Sequence, residues 1–309
     1  MNKVCIAYTP AFPSEMKNLK IDNFESLQNT YYRMIIVAFI TLRKYNEKLE
    51  LEFVTTNIPA DYYKALLEKY NINIKIVPFH FKPPQGFSET YGFSFYLLDA
   101  ICANKDQNVL YLDPDVVCLE NLNNLFELAQ GKFGVLSCEY SKEMDINGIT
   151  LLQAESIGNR LKKITTKYVH FGGEIYFIPK EKSISVCESI LSNFNKNLEY
   201  FENGHDYLTT EEHLLSVIFN GEKTFELDTY IRRIWTRYRY NNVNGLEKKL
   251  TLWHLPAEKK FGFQELFYYF LKNEEWIHDS SHEEFRLILS KHLLKGNHNL
   301  RKIWRMLRS

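Results

Sequence analysis

Apolar stretches of strand length alternate with helically spaced apolar positions through the first third of the chain. Residues 3–8, 51–55, 74–78 and 109–112 read as strands, and residues 60–70 and 93–103 as helices between them. Residues 30–45 form a longer helix with Tyr31, Ile35, Phe39 and Leu42 on one side. Strand and helix thus alternate through four strands, which predicts an open, Rossmann-like α/β sheet whose ligands sit beyond the carboxyl ends of the strands. The pattern then loosens. Residues 133–137, 175–178 and 251–254 read as strands, and 182–193 and 211–219 as helices. From Pro256 onward the chain turns helical and aromatic (Phe267, Tyr268, Tyr269, Phe270, Trp276, Phe285, Trp304). The expected division is a main domain over 1–255, halved near residue 120 into 1–120 and 121–255, and a C-terminal subdomain over 256–309.

With 45% apolar and 25% charged residues among 309, the chain can bury a sizeable core and is neither disordered nor fibrous. Its formal net charge of zero argues against a basic nucleic-acid-binding face, so no nucleic-acid partner is expected. Charge is nonetheless uneven. Lys291, Lys295, Arg301, Lys302, Arg305 and Arg308 face no acidic residue after position 290, whereas residues 1–290 carry 32 basic against 38 acidic residues. Within that tail Leu300, Ile303, Trp304 and Leu307 share one helical stripe and the basic residues another, a pattern suited to an anionic membrane surface or to a helix packed on its own domain. Five scattered cysteines without a Cys-x-x-Cys spacing predict reduced, buried thiols and no disulfide. No signal-peptide core follows Lys3, and the longest apolar run, residues 34–42, is about half a membrane span. The expected location is cytoplasmic, with peripheral attachment to the inner face of a membrane through the basic tail.

The chemistry concentrates at Asp113-Pro114-Asp115, immediately after the strand 109–112 and before the apolar run 116–119. Two carboxylates at i and i+2 about an extended residue point the same way. Hard oxygen ligands of this kind suit Mn²⁺ or Mg²⁺ shared with a diphosphate. An Asp-x-Asp is also an ordinary strand-ending turn. Its position at the mouth of the sheet, as the only such motif in the chain, favours the metal reading. His254 lies at an apolar strand end, where histidine is commonly a core residue; the lysines at 259 and 260 add a point charge for a leaving diphosphate. Gly172-Gly173 reads either as a bend or as an opening through which a sugar meets the backbone, with Glu174 accepting from a hydroxyl. Glu211 and Glu212, behind Thr209-Thr210, make a standard helix start, of which only one need face a sugar.

The segment from Tyr111 to Phe126 resembles the metal-binding segment of the family 8 glycosyltransferases, the group of glycogenin and bacterial lipopolysaccharide galactosyltransferases. His254-Leu-Pro-Ala-Glu-Lys-Lys260 is similar to its late His-x-x-Gly-x-x-Lys segment, Phe171-Gly172-Gly173-Glu174 to its acceptor-side strand, and Glu211-Glu212-His213 to its acidic helix start. The resemblance implies a GT-A fold: a Rossmann-like mixed sheet flanked by helices, here with a helical C-terminal extension. It also implies a UDP-sugar donor, transfer with retention to a hydroxyl of a surface-polysaccharide or lipid-linked glycan, and a nucleotide-binding half followed by an acceptor half. On this reading Asp113, Asp115 and His254 ligate the metal, Asp113 also lies near the ribose, Lys260 holds the diphosphate and Ala7, Tyr8 and Thr9 lie by the base. Glu174, Glu211 and Glu212 fall to the sugar end as candidate catalytic residues. Tyr96 stands where the family has arginine, Glu212 where it has glutamine and Ala257 where it has glycine. Those departures leave a second reading open, a non-catalytic nucleotide-sugar or glycan binding partner of a transferase.

Overall fold

In the computed structural model, which describes residues 2–11, 19–88, 90–237 and 239–295, the opening alternation becomes β1 (Asn2–Ala7), α1 (Phe24–Tyr45), β2 (Glu50–Thr55), α2 (Asp61–Lys69), β3 (Asn73–Ile76), α3 (Tyr96–Ala103) and β4 (Asn108–Leu112). Helix α1 starts six residues earlier than periodicity indicated because the Asn23 side chain accepts from the Ser26 N–H at 2.8 Å. After β5 (Val116–Cys118) come α4 (Asn123–Leu128), β6 (Phe133–Cys138), a hairpin of β7 (Asp145–Ile146) and β8 (Ile149–Thr150), and α5 (Leu151–Leu161). Then follow β9 (His170–Ile178), α6 (Ser183–Glu202), α7 (Glu211–Phe219), β10 (Thr224–Glu226), β11 (Ile231–Arg233) and β12 (Leu252–His254). The chain closes on α8 (Gly262–Lys272), α9 (Glu274–Asp279) and α10 (His282–Leu293).

Seven strands form one sheet in the order β10-β6-β9-β4-β1-β2-β3. Strands β4, β1, β2 and β3 run parallel, as the alternation predicted, while β9 is antiparallel to both neighbours. The pleat sends Val4 and Ile6 of β1 into a core shared with α1 and α8, and Cys5 into a second core shared with α3, α6 and α7. Phe263, Phe267, Phe270 and Phe285 of the C-terminal helices join the first of these cores. A second sheet, ordered β11-β12-β5, sits at the end of β4.

Among the described residues no helix is long and apolar enough to cross a membrane. The amphipathic stripe of residues 300–308 lies outside the described residues. The expectation of five free thiols is corrected: Cys102 of α3 is joined to Cys187 of α6, 85 residues away, leaving Cys5, Cys118 and Cys138 free. These two helices pack side by side, a proximity that residue spacing cannot reveal.

Candidate active site

The site is assembled by backbone register. Between β4 and β5 the chain turns tightly, with Val116 N–H donating to the Asp113 carbonyl at 3.2 Å across Pro114. Asp113 N–H donates to the Glu174 carbonyl at 3.1 Å, one step beyond the Leu112–Ile175 pairing of β4 with β9. His254 closes β12, opposite Val116 on β5 and Arg233 on β11, and Leu255 N–H donates to the Asp115 carbonyl at 3.0 Å. Asp113, Asp115, Glu174, Arg233 and His254 therefore meet because the ends of β4, β5, β11 and β12 meet beside the middle of β9.

The His254 Nε2 lies 3.3 Å from Asp115 Oδ2 and 3.8 Å from Asp113 Oδ2, and one ligand atom from each of the three residues lies within 4.8 Å of the others. Lys259 Nζ is 3.2 Å from the same Asp115 oxygen. Asp115 is fully buried and neither of its oxygens finds hydrogen-bond geometry, although both cations are in ionic reach. Orphaned carboxylate oxygens beside a second carboxylate and an imidazole nitrogen form an O,O,N donor set that fits Mn²⁺ or Mg²⁺.

Electrostatics divides the carboxylates. Burial alone would raise Asp115 and Glu174, but the neighbouring cations outweigh it: Lys259 and His254 hold Asp115, and Arg233 and His254 hold Glu174, well below the usual range. Burial would lower His254, yet Asp115 and Glu174 push it up to about 9. Asp113, with its side chain 41% exposed toward the cleft, is raised to about 7 by removal from bulk water and by Asp115. Glu211 is raised to about 8, chiefly by burial, and takes a hydrogen bond from Ser94 Oγ.

A cleft of about 980 Å³, counted to its open mouth, runs past this cluster. Ala7, Tyr8 and Thr9 line one end, where Tyr8 stacks on Tyr31 with ring centroids 4.7 Å apart. Asp113 and Lys259 line its middle, and Gly173, Glu174, Glu211, Glu212 and Arg233 its far end. A Cβ on Gly173 would stand 3.4 Å from oxygens of both Glu211 and Glu212, so the bare backbone keeps that end open. Both glutamates are set by the α7 terminus, which the Thr210 hydroxyl caps by accepting from His213 N–H.

The structure corrects one assignment. Lys260 does not line the cleft: its ammonium donates to the Leu19 and Lys20 carbonyls at 2.8 and 3.2 Å. The turn after β12, closed by Glu258 N–H on the Leu255 carbonyl and Phe261 N–H on the Glu258 carbonyl, carries Lys259 inward instead. Glu174, expected to accept from a sugar hydroxyl, has both oxygens engaged by Arg233 and His254. Glu212 is held by His170 Nε2 at 2.6 Å. Tyr96, at the position of a family arginine, donates its hydroxyl to the Val77 carbonyl at 2.8 Å. Sequence reasoning missed Arg233: the second of two adjacent arginines in a three-residue strand leaves no periodic or motif signal.

No family profile matches the chain and no curated protein does. Among solved structures it is similar to the galactosyltransferase LgtC in complex with donor and acceptor sugar analogues, at a TM-score of 0.52 and 13% identity over 86% of this chain and 95% of that one. It is also similar to the glycosyltransferase GlyE of Streptococcus pneumoniae TIGR4, at a TM-score of 0.51 and 15% identity over 94% of this chain and 63% of that one. A third likeness is to the bifunctional glycosyltransferase WbbM, at a TM-score of 0.51 and 12% identity over 82% of this chain and 45% of that one. Sheet order, the split of the core across the sheet and these likenesses together give the chain the GT-A glycosyltransferase fold.

Proposed function

We propose that the chain is a metal-dependent glycosyltransferase that moves a sugar from a UDP-sugar to a hydroxyl of a glycan of the surface-polysaccharide or lipid-linked type. The observation that carries this reading is the convergence of Asp113, Asp115 and His254 directly behind a cleft that Asp113 and Lys259 line and whose ends have opposite character. At one end the β1 terminus and stacked tyrosines offer a flat, half-apolar seat suited to a base. At the other, glycine backbone and buried carboxyl groups suit a sugar. LgtC, of the same fold, was solved with donor and acceptor sugar analogues.

Bound at Asp113, Asp115 and His254, Mn²⁺ or Mg²⁺ would supply charge neutralisation of the departing diphosphate. Lys259, already in the cleft, adds a fixed ammonium beside that position. Glu211, raised to about 8, is protonated at neutral pH and is able to donate to a sugar oxygen. Among the described residues of the sugar end, each carboxyl group has a partner: Glu174 with Arg233, Glu212 with His170, Glu211 with Ser94.

UDP release from a panel of UDP-sugars, with and without Mn²⁺, tests the proposal. One sugar should stand out, with turnover lost on removing metal and in Asp115→Asn. Equal release with and without the metal would sink it. A binding partner without activity is the second reading, favoured by Tyr96, whose hydroxyl is spent on a backbone carbonyl where a cation was expected. It predicts UDP-sugar binding by calorimetry with no UDP release from any donor.

A further inference from the structure

Glu174 is fully buried at the end of the cleft, and three contacts use both its oxygens. Arg233 Nε donates to Oε1 at 3.0 Å, Arg233 Nη2 to Oε2 at 2.6 Å, and His254 Nδ1 lies 3.3 Å from Oε1. An ionised carboxylate only accepts, so Nδ1 carries the proton of that contact. The other ring nitrogen, Nε2, then faces Asp113 and Asp115. The planar fork of Arg233 prevents the carboxylate from turning. Arg233 is itself fixed, by Nη1 donating to the Tyr140 hydroxyl at 3.0 Å and by the β11–β12 register that sets it opposite His254. It also comes within 3.9 Å of Glu212 Oε1. Room for the arrangement is made by Gly172, where a Cβ would stand 2.2 Å from Glu174 Oε2.

We propose that Glu174, clamped by Arg233, is a positioning residue that fixes the ring orientation and tautomer of His254, so that Nε2 is its ligand nitrogen. Arg233 extends the same clamp to Glu212 at the sugar end. The proposal rests on the reading of Asp113, Asp115 and His254 as a divalent-cation site. Ligand histidines commonly owe their orientation to such an outer carboxylate, and its loss weakens metal binding by about 10–100-fold.

The test uses the full chain and Mn²⁺ alone, without donor. Calorimetry gives the affinity, and pulsed EPR reads the coupling of bound Mn²⁺ to an imidazole nitrogen. Wild-type protein should show that coupling. Glu174→Gln should weaken binding about 10–100-fold and diminish the coupling. Because Glu174→Gln takes from a half-buried guanidinium its main counter-charge, Arg233→Lys is the second variant. It keeps the charge, loses the fork and should weaken binding in the same direction. Thermal melting checks that each variant is folded. Unchanged affinity and coupling in a folded variant, with Asp115→Asn abolishing binding, overturns the positioning role and leaves the metal site standing. Wild-type binding without imidazole coupling overturns it whether or not the variants fold. No Mn²⁺ binding by wild-type protein removes the metal site and this inference together.

Discussion

Lys259 and Lys260 are adjacent in the chain, yet one ammonium sits on Asp115 in the cleft and the other on backbone carbonyls outside it. Their positions give the two lysines different roles. A charge-assisted contact contributes about 1.5–3 kcal/mol, so Lys259→Met should weaken UDP binding roughly 10- to 100-fold, read by calorimetry or by KM for the donor. Lys260→Met should leave it nearly unchanged. Glu211 gives a pH prediction. Its folded-state pKa of about 8 lies above the ordinary 4.5, so the folded chain binds the proton more tightly than the unfolded one. This contribution is fully present below about 4.5 and is lost as pH rises toward about 8, at up to about 1.4 kcal/mol per pH unit. Denaturant unfolding from pH 5 to 8 should show that decline; Asp113 and His254, raised to about 7 and about 9, add declines of the same sign in this window, so Glu211→Gln should make the slope shallower by the share of Glu211. A decline equally steep in the variant would show that burial of Glu211 is not its cause.

Strand ends bring the chemistry together, and they differ in how well the sequence announces them. Strands β1, β2 and β4 were legible because buried runs bounded by turns and helical spacing leave few other readings, and β3, an exposed edge strand of alternating Ile74 and Ile76, was legible from its place in the alternation. Asp113 and Asp115 were legible because they directly follow such a run. The hairpin β7–β8 and helix α5 were not recovered from apolar spacing, although Thr150 and Gln153 form a capping box at the start of α5. Arg233 escaped because β11 is short and its meaning comes from its neighbour in the sheet, His254, 21 positions further along the chain. Strand β9 was predicted from residue 175, yet it begins at His170, and Gly172 lies within it. Gly172→Ala, which forces the Glu174 carboxylate to move, should cost about 1–3 kcal/mol in denaturant unfolding. It should also weaken Mn²⁺ binding. Full stability with unchanged metal affinity would show that the close approach is easily relieved.

The two cores on either face of the sheet account for the broad legibility of the fold, since alternation along β1 already divides Val4 and Ile6 from Cys5. Long-range pairings were hidden in the linear order. Cys102 and Cys187 come together only because α3 and α6 pack side by side. Thiol titration of the unfolded chain should therefore give three free thiols before reduction and five after it; five at the outset would contradict the crosslink. The same long-range convergence makes the site, and its central claim is a divalent cation held by Asp113, Asp115 and His254. Anomalous diffraction from crystals grown with Mn²⁺ and UDP tests it most directly. The account predicts a Mn²⁺ peak bounded by Asp113, Asp115 and His254 Nε2, with the diphosphate beside Lys259. A UDP complex without that peak, with Lys259 and His254 alone still holding Asp115, would contradict it.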